Sequence, residues 1–416
     1  MHAPTDIREL TEIVIEAAAT GEKLEIRGGG GKAAFGRDRD DANILDMRGF
    51  GSIIDYDPAE LTLRAGAGAP LADIQKLVAA QGQMLAFEPW DQAALFGGEI
   101  GMGTIGGALA SGAAGPRRLS RGGARDHLLG FEAVSGRGER FIAGGNVVKN
   151  VTGFDLSKLV CGSWGRLAAL TQVTVKVLPA PRSVESFALD GLAPEIAQAA
   201  LNSAMKSQAE VAAAAYTPDS DSRTVFRLEG VEPSIRARAA LLSGLLAQFG
   251  TLRPMDAQDA EDFWTATRDV AASSAANILW RLSVPPSRGA AVAQELCGAE
   301  TNWLMDWAGG RVWIADLDDA ARVRAAAAKA GGHATLIRAS AAMRASIPAL
   351  HPPSAGVARV ERAVRAAFDP AGVFETGRFL DMSRADKNKT PKTTVSLKKK
   401  PDPQTNKKKE DCRLWV

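Results

Sequence analysis

The chain has 416 residues, of which 46% are apolar and 24% are charged, as is ordinary for a soluble globular protein. No apolar run is long enough to span a bilayer, no basic and then apolar leader opens the chain, and Cys161, Cys297 and Cys412 lie far apart. We therefore expect two or three domains in a cytoplasmic protein, without a transmembrane segment, a disulfide framework or a metal or iron–sulfur signature of its own.

The formal net charge of +2 conceals a basic C-terminal segment, residues 380–416, in which nine lysines and two arginines face five acids. A segment of this composition cannot bury enough apolar surface to order itself, so we predict a disordered, solvated tail or an appended sequence unrelated to function. The tail leaves contact with a nucleic acid or a membrane open. The rest of the chain has no basic patch interleaved with aromatic residues, and we predict no nucleic-acid partner.

The N-terminal region is predicted to begin with a helix to about residue 19, capped by Thr5 or Asp6, and a short strand over residues 24–27. The strand opens into the sequence Gly28-Gly29-Gly30-Gly31-Lys32. Consecutive backbone N–H groups in such a turn form an anion nest that suits a pyrophosphate. Glycine runs also occur in plain loops, so this segment alone decides nothing.

Short strands and one helix follow, near residues 44–47, 52–56, 61–65 and 71–81. They lead to the glycine-rich residues 97–118, GGEIGMGTIGGALASGAAGPRR, where backbone can pass close to a flat or phosphorylated ligand. Gly101, Gly103 and Gly106 fit the dinucleotide pattern G-x-G-x-x-G, but no buried strand is predicted before them, which argues against a Rossmann unit. We expect the two glycine stretches to share one ligand; glycines that serve only packing and turns are the alternative.

Two further strands are predicted over residues 125–134 and 170–178. The sequence pattern changes after them. From Val184 onward, strand-like segments alternate with alanine-rich helices, which indicates an α+β layer with helices on one face of a sheet. Two β-α-β halves of similar length suggest a ferredoxin-like duplication.

Several motifs in order carry a family resemblance: IRGGGGK, DPAELTLRAGAGAPL, QGQMLAFEP, GMGTIGGALASGAAGPRR, RDHLLG and VVKNVTGFDLSKLVCGSWGRLAALTQVTVKVLP. This order resembles the FAD-binding domain of the vanillyl-alcohol-oxidase/p-cresol-methylhydroxylase (PCMH) flavoproteins, and among them the FAD-binding subunits of glycolate oxidase. The resemblance covers about residues 5–180 strongly and continues more loosely to about 379, where FDPAGVFETGRF looks like the closing segment of the family.

The resemblance implies an α+β protein with a two-lobed PCMH-type FAD-binding domain and a smaller ferredoxin-like α+β cap domain. The implied divisions are the FAD-binding domain at 1–180, the cap at 181–366, a closing segment at 367–379 that returns to the FAD domain, and the tail at 380–416.

The resemblance also implies which residues bind FAD. The residues implied to hold the pyrophosphate are Arg27, Gly28, Gly29, Gly30, Gly31 and Lys32, and those implied to pass along the flavin are Thr104, Gly106, Gly107, Ser111, Gly112 and Gly115. The residues implied to lie near the flavin edge or the ribityl chain are Arg117, Arg118, Arg125 and Asp126, and those near the ring or its entrance are Lys149 and Asn150. The arginines have an alternative role as partners of surface acids. Trp164 stands where the family commonly has Glu, which leaves the role of that position open.

Many relatives attach the flavin covalently through His or Cys. Neither glycine stretch contains one, so we predict non-covalent FAD; Cys161 is interpreted as a small core residue. Oxidation of a 2-hydroxy acid needs a base for the hydroxyl proton and a cation for the carboxylate. The cap offers Arg281, His333 and His351 as catalytic candidates, with Arg268 and Arg338 as further cations, although an isolated histidine is more often a packing or surface residue.

The function implied is that of the FAD-binding subunit of glycolate oxidase, which oxidises glycolate to glyoxylate together with a second flavin subunit and an iron–sulfur subunit. Such a protein is cytoplasmic, or peripheral at the inner face of the cell membrane through its partners. Two alternatives stay open: an autonomous FAD-dependent oxidase or dehydrogenase of another alcohol or hydroxy acid, and a non-catalytic FAD-binding assembly subunit.

Overall fold

A computed structural model describes residues 1–39, 41–145, 155–218, 222–298 and 301–379 of the chain. Within these ranges, no helix combines the length and the apolar character needed to cross a membrane.

The N-terminal half contains short strands and helices, most of them connected by glycine-containing turns. Its strands are β1 Leu24–Arg27, β2 Asn43–Asp46, β3 Ile53–Asp57, β4 Thr62–Gly66, β5 Gln83–Met84, β6 Leu128–Ser135, β7 Arg140–Gly144, β8 Ala168–Lys176 and β9 Leu178–Pro179. Its helices are α1 Ile7–Thr20, α2 Leu71–Ala79, α3 Ala93–Phe96, α4 Ile105–Ala110, α5 Arg118–Arg121, α6 Ala124–His127 and α7 Leu156–Val160. Because α3 rather than a strand precedes Gly101, the dinucleotide pattern lacks the strand that a Rossmann unit requires.

Two lobes make up this half. In one lobe, β1 and β2 pair in parallel beside α1, whose buried face is Leu10, Val14 and Ala17. Asp6 caps α1 by accepting hydrogen bonds from the amides of Arg8 and Glu9. In the other lobe, the antiparallel five-stranded sheet β3-β4-β8-β6-β7 packs against α2 and α4.

The segment at 369–379 packs back on the first lobe. The amide of Leu24 donates to the carbonyl of Val373, and Val373 and Phe374 belong to the same buried cluster as α1. The Asp369 carboxylate accepts from the amides of Val373 and Phe374, which fixes the turn that brings them there.

The second half forms one large sheet with helices. Its strands are β10 Ser183–Asp190, β11 Ala213–Thr217, β12 Arg223–Gly230, β13 Arg253–Pro254, β14 Leu279–Ser283, β15 Trp303–Asp306, β16 Arg311–Ala315 and β17 His333–Arg338. Its helices are α8 Pro194–Met205, α9 Glu232–Leu246, α10 Ala257–Asp269, α11 Gly289–Leu296, α12 Ala320–Lys329, α13 Ala341–Ser346 and α14 Ala355–Phe368.

The strand order β13-β10-β12-β11-β15-β16-β14-β17 contains the ferredoxin-like β-α-β-β-α-β unit twice. The two units join at their second strands, β11 and β15, through the pair Tyr216 and Met305. Helices α8, α9, α11 and α12 cover one face and bury a core that includes Leu201, Leu242, Ala293 and Ala327. The predicted ferredoxin-like duplication is confirmed, with α10 on the opposite face beside β10, β11 and β12.

Local expectations differ from the structure in two ways. Residues 124–127 form the short helix α6 before β6 begins at Leu128, whereas a strand was expected from residue 125. Strands β11 and β15 and helix α10 lie in stretches for which no element was predicted. In β11, three consecutive alanines suit a helix on propensity, but partners on both edges make the segment a strand.

Candidate functional site

The two glycine stretches line one cleft of about 850 Å³, counting the space open to solvent. One wall is the loop that follows β1, at residues 28–32, and the other is the segment at 102–107 that leads into α4. Ala168 and Leu170 of β8 form part of its base. Of the residues implied to bind FAD, the cleft brings together Arg27, Gly28, Gly29, Gly30, Gly31, Lys32, Thr104, Gly106, Gly107 and Ser111.

The two walls touch through bare backbone. A Cβ atom on Gly29 would lie 1.5 Å from the carbonyl oxygen of Met102, and one on Gly28 would lie 2.3 Å from Oγ1 of Thr104. Thr104 caps α4 by accepting from the amide of Gly107 at 3.1 Å. Close approach of the two segments, rather than mobility, is therefore what these glycines provide.

The loop presents unused hydrogen-bond donors to the cleft. Among the described residues, the amide groups of Gly29, Gly30, Gly31 and Lys32 have no acceptor, and Gly30 has a φ of +75°. Successive amides with one residue in the left-handed region form an anion nest. The geometry fits a phosphate or pyrophosphate, which accepts several hydrogen bonds from such donors.

Lys32 adds a positive charge to this nest. Within the described part of the chain its ammonium group has no hydrogen bond and no ion pair. Burial lowers the pKa of Lys32 to about 8, and the nearby positive charge of Arg378 acts in the same direction, whereas Asp91 opposes it. A bound anion would restore the ordinary preference of this lysine for the charged form.

Arg378 fastens the loop from the distant C-terminal side. Its guanidinium donates to the carbonyls of Phe35, at 2.5 Å, and Lys32, and lies 3.4 Å from Oε1 of Glu25. Glu25 also accepts from Nε of Arg27 at 2.9 Å. The closing segment thereby supplies a cleft residue that motif reasoning missed, because nothing in its local sequence links it to residue 32.

Asp91 organises the opposite wall and was also missed. Its carboxylate accepts from the amides of Gly101 at 2.6 Å, Gly103 at 3.3 Å and Ala93 at 3.0 Å. It sits in the stretch that argued against a Rossmann strand. An acidic residue from a stretch for which no buried strand was predicted therefore holds the glycine-rich segment in place.

Trp164 lines the cleft and belongs to an aromatic cluster. Its ring centroid lies 4.3 Å from that of Phe35, and Phe96 and Phe379 complete the group. Trp164 has a φ of +56°, and its amide donates to the carbonyl of Ala110. The position whose role was left open from the sequence is thus part of the cleft wall.

Other implied FAD residues do not line this cleft. Gly112, Arg125 and Asp126 are exposed, and Asp126 accepts from the amide of Gly123. Gly115 is buried against Glu88. Lys149 and Asn150 lie outside the described residues. The roles of all these residues beside the flavin stay predictions.

Arg117 and Arg118 lie in a polar layer between the N-terminal half and the eight-stranded sheet, and their role beside the flavin also stays a prediction. We call this layer the junction cluster: Glu88, Arg117, Arg118, Arg121, Arg227, Glu229, Arg281, Asp306, Trp307 and Arg311. Arg117 contacts Glu88 and Glu229, both at 2.5 Å, and Arg118 lies over the Trp307 ring at 4.7 Å. The partners of Arg117 are the fully buried Glu229 and the largely buried Glu88, not the surface acids that were the alternative.

The three catalytic candidates lie together at one end of the sheet. Arg281 on β14 is opposite Thr335 of β17, and His333 is two residues away from Thr335 on the same strand face. The His333 and His351 ring centroids are 6.5 Å apart. Partial burial and the charge of Arg281 lower the pKa of His333, and burial and Arg324 lower that of His351.

The two further cations are already paired. Arg268 contacts Asp269, and Arg338 donates to the carbonyls of Ser273 and Ser274. Across the described ranges, no three His, Cys, Asp or Glu side chains gather as metal ligands would.

Comparison with known proteins gives three findings. Residues 1–144 match the family described as "FAD binding domain". The glycolate oxidase subunit GlcE of Escherichia coli (strain K12) is 35% identical over 373 residues, which are 89% of this chain and 96% of that subunit. The glycolate oxidase subunit GlcD of Bacillus subtilis (strain 168) is 30% identical over 144 residues, 35% of this chain and 29% of that protein.

A solved structure supports the fold. An alkyldihydroxyacetonephosphate synthase superposes with a TM-score of 0.62 at 15% identity, over 89% of this chain and 75% of that one. At this identity the likeness concerns the fold alone.

Proposed function

The chain belongs to the family of the glycolate oxidase subunit GlcE, and from that premise we propose that it is the FAD-binding subunit of an oxidase that converts glycolate to glyoxylate. The observation that carries the proposal is the cleft at residues 28–32 and 102–107, where four consecutive amides and Lys32 lack acceptors in the described part of the chain. This donor set fits the pyrophosphate of FAD. The FAD binding domain match over residues 1–144 covers both walls.

The residues of the cleft bind and orient the cofactor. The amides of residues 29–32 and the ammonium of Lys32 would hold the pyrophosphate. Gly106 lets α4 pack against the backbone of Ala67 at the cleft, and Gly107 presents no side chain to it. Arg378 and Asp91 fix the two walls. FAD, when bound in this cleft, would supply the two-electron redox chemistry that the oxidation of an alcohol requires.

FAD binding is proposed to be non-covalent. No His or Cys is present among the described residues that line the cleft. Cys161 and Cys297 are free thiols, and burial raises the pKa of both to about 12, so neither is a nucleophile near neutral pH.

The absorption spectrum of the purified chain, recorded before and after acid precipitation, tests this part of the proposal. We expect a flavin spectrum in the native protein and all of the colour in the supernatant after precipitation. Colour retained in the pellet would contradict non-covalent binding. A colourless protein that cannot be reconstituted with FAD would contradict the proposed function.

The electrons are proposed to leave through partner subunits of the same oxidase, a second flavin subunit and an iron–sulfur subunit. Relatives of this chain include proteins named as two different glycolate oxidase subunits. The described residues contain no cysteine cluster that could hold an iron–sulfur centre, so we assign that centre to a partner. We further propose a cytoplasmic location, with contact to the membrane only through those partners.

Anaerobic mixing with glycolate separates relay from turnover. Loss of the flavin colour only when the partner subunits are present would indicate that this subunit relays electrons or assists assembly. Loss of colour in the isolated chain would indicate that it oxidises the substrate itself.

A further inference from the structure

The junction cluster carries more positive than negative charge. Its six guanidinium groups, on Arg117, Arg118, Arg121, Arg227, Arg281 and Arg311, face three carboxylates, on Glu88, Glu229 and Asp306. Glu229 and Asp306 are fully buried, so the attraction between these groups is weakly screened. A buried cation without a nearby anion destabilises the folded protein, so this surplus of positive charge requires an explanation.

The surplus lies on Arg118 and Arg281, which have no ion pair in the described part of the chain; Arg118 instead lies over the Trp307 ring. Arg311 pairs with Asp306 and donates to the carbonyl of Ala114 at 2.8 Å, and Arg227 pairs with Glu88 and Glu229. In the described part of the chain, Arg281 has no hydrogen bond and no ion pair, and its Nε is buried. Burial and the like charges of Arg311 and Arg118 lower the pKa of Arg281 to about 10.

The strand registers define what surrounds this guanidinium. Arg281 is directly opposite Trp313 on β16 and Thr335 on β17, so these three side chains share one face of the sheet. Ser283, two residues along β14, is opposite Arg311 on one side and His333 on the other. This is the face turned toward the N-terminal half, because Trp313 packs in one cluster with Phe35 and Phe96.

The position is both partly open and firmly held. Arg281 keeps part of its surface exposed to solvent. Elsewhere in the junction cluster, Glu88 and Trp307 have φ values of +48° and +54°, and Ala308 next to Trp307 has +51°, conformations that non-glycine residues rarely adopt. Strained backbone that the surrounding contacts enforce is characteristic of functional sites.

We propose that Arg281 binds the carboxylate of a small 2-hydroxy acid, so that this subunit has a substrate site of its own at the junction cluster. The inference rests on the proposed function for the class of acid. It adds that the substrate meets this chain and not only the second flavin subunit. A carboxylate accepts two parallel hydrogen bonds from a guanidinium, and this match compensates the charge that the protein leaves unpaired.

The test is calorimetric titration of the full chain, with and without FAD, using glycolate, its uncharged amide glycolamide, and inorganic phosphate as probes. We expect glycolate to bind and glycolamide not to bind. Arg281→Gln should weaken glycolate binding about 10- to 100-fold, the loss expected for hydrogen bonds to a charged group, and Arg281→Lys should weaken it less. Arg253→Gln, which removes an exposed cap arginine paired with Asp190, is the matched control and should bind as the parent does.

Several results would overturn the inference. These are a parent chain that binds no glycolate, an Arg281→Gln variant that binds it unchanged, and equal binding of glycolate and glycolamide. Preference for phosphate, or a loss of FAD affinity in Arg281→Gln, would assign Arg281 to the cofactor instead. Because the chain is titrated both with and without FAD, the two proposals can fail separately. Failure to bind FAD would count against the proposed function, while the titration of the FAD-free chain would still show whether glycolate binds. Thermal unfolding of each variant verifies that it is folded.

Discussion

Single residues determine the affinity of the cleft for an anion, and Lys32 is the clearest case. Its ammonium lies in the cleft with no acceptor among the described residues, and burial lowers its pKa. An uncompensated charge of this kind lowers the stability of the empty protein and raises its affinity for a phosphate. Removal of this charge should therefore lower the affinity for FAD and raise the stability of the FAD-free protein.

Lys32→Met tests that opposition. We expect FAD affinity to fall about 10- to 100-fold, because a charged hydrogen bond to the pyrophosphate is lost, while the FAD-free protein unfolds at a higher temperature. Titration of the apoprotein with FAD and thermal unfolding measure the two effects. Lys76→Met, on an exposed position of α2, is the control and should change neither. A drop in both affinity and stability would contradict the assigned role.

The pKa of Lys32 also predicts a pH dependence. In the FAD-free protein the pKa is about 8, below the ordinary value of 10.5, so the ammonium loses its proton as pH rises through 8. A bound pyrophosphate raises that pKa, so binding takes up a proton above pH 8. FAD affinity should be constant from pH 6 to 7 and should fall between pH 8 and 9.5, by up to about tenfold per pH unit. Lys32→Arg should show a flat profile over this range, and a parent profile equally flat would exclude the mechanism.

Among the structural elements, the loop at residues 28–32 and the segment at 102–107 act as one unit because their backbones touch. Gly29→Ala would place a methyl group 1.5 Å from the Met102 carbonyl oxygen, so one wall must move. We expect loss of FAD binding together with a lower unfolding temperature. Gly30→Ala meets no atom within 4 Å and costs only the left-handed φ, about 1–2 kcal/mol, so it should keep measurable FAD binding. Equal effects of the two variants would contradict the close-approach account.

An element could be predicted from the sequence when the residues that specify it are close together along the chain. The glycine loops, α1 and the ferredoxin-like duplication were predictable because capping residues, glycine spacing and apolar periodicity are local signals. Strand β11 was not, since its alanines become a strand only through partners on both edges. The same holds in the site: Asp91 and Arg378 act on amides and carbonyls remote from their own motifs, and only the folded chain brings them there.

At the scale of the whole molecule, the junction cluster joins the two halves by buried charge. Glu88 accepts from the amide and guanidinium of Arg117 and from the guanidinium of Arg227 at 2.9 Å. One carboxylate therefore compensates two cations that come from opposite halves. Its loss would enlarge a charge surplus that is already present.

Glu88→Gln should destabilise the protein by about 3–5 kcal/mol, because it leaves Arg117 and Arg227 without this partner in a buried layer. Denaturant unfolding measures the loss. Glu232→Gln, which breaks an exposed ion pair with Arg236 on α9, is the control and should change the free energy of unfolding by less than about 1 kcal/mol. The double variant Glu88→Gln, Arg227→Gln should recover part of the stability, and failure to recover any would show that charge is not the cause.

The tether from Arg378 to the carbonyl of Phe35 joins positions 343 residues apart. During synthesis on a ribosome, the glycine loop emerges early, but its fastening emerges only when nearly all of the described chain has been made. Nascent chains and fragments cut short of residue 378 should therefore release the flavin nucleotide readily. Stable FAD binding is then possible only late in synthesis, and a chain that retains the flavin colour has been translated beyond residue 378.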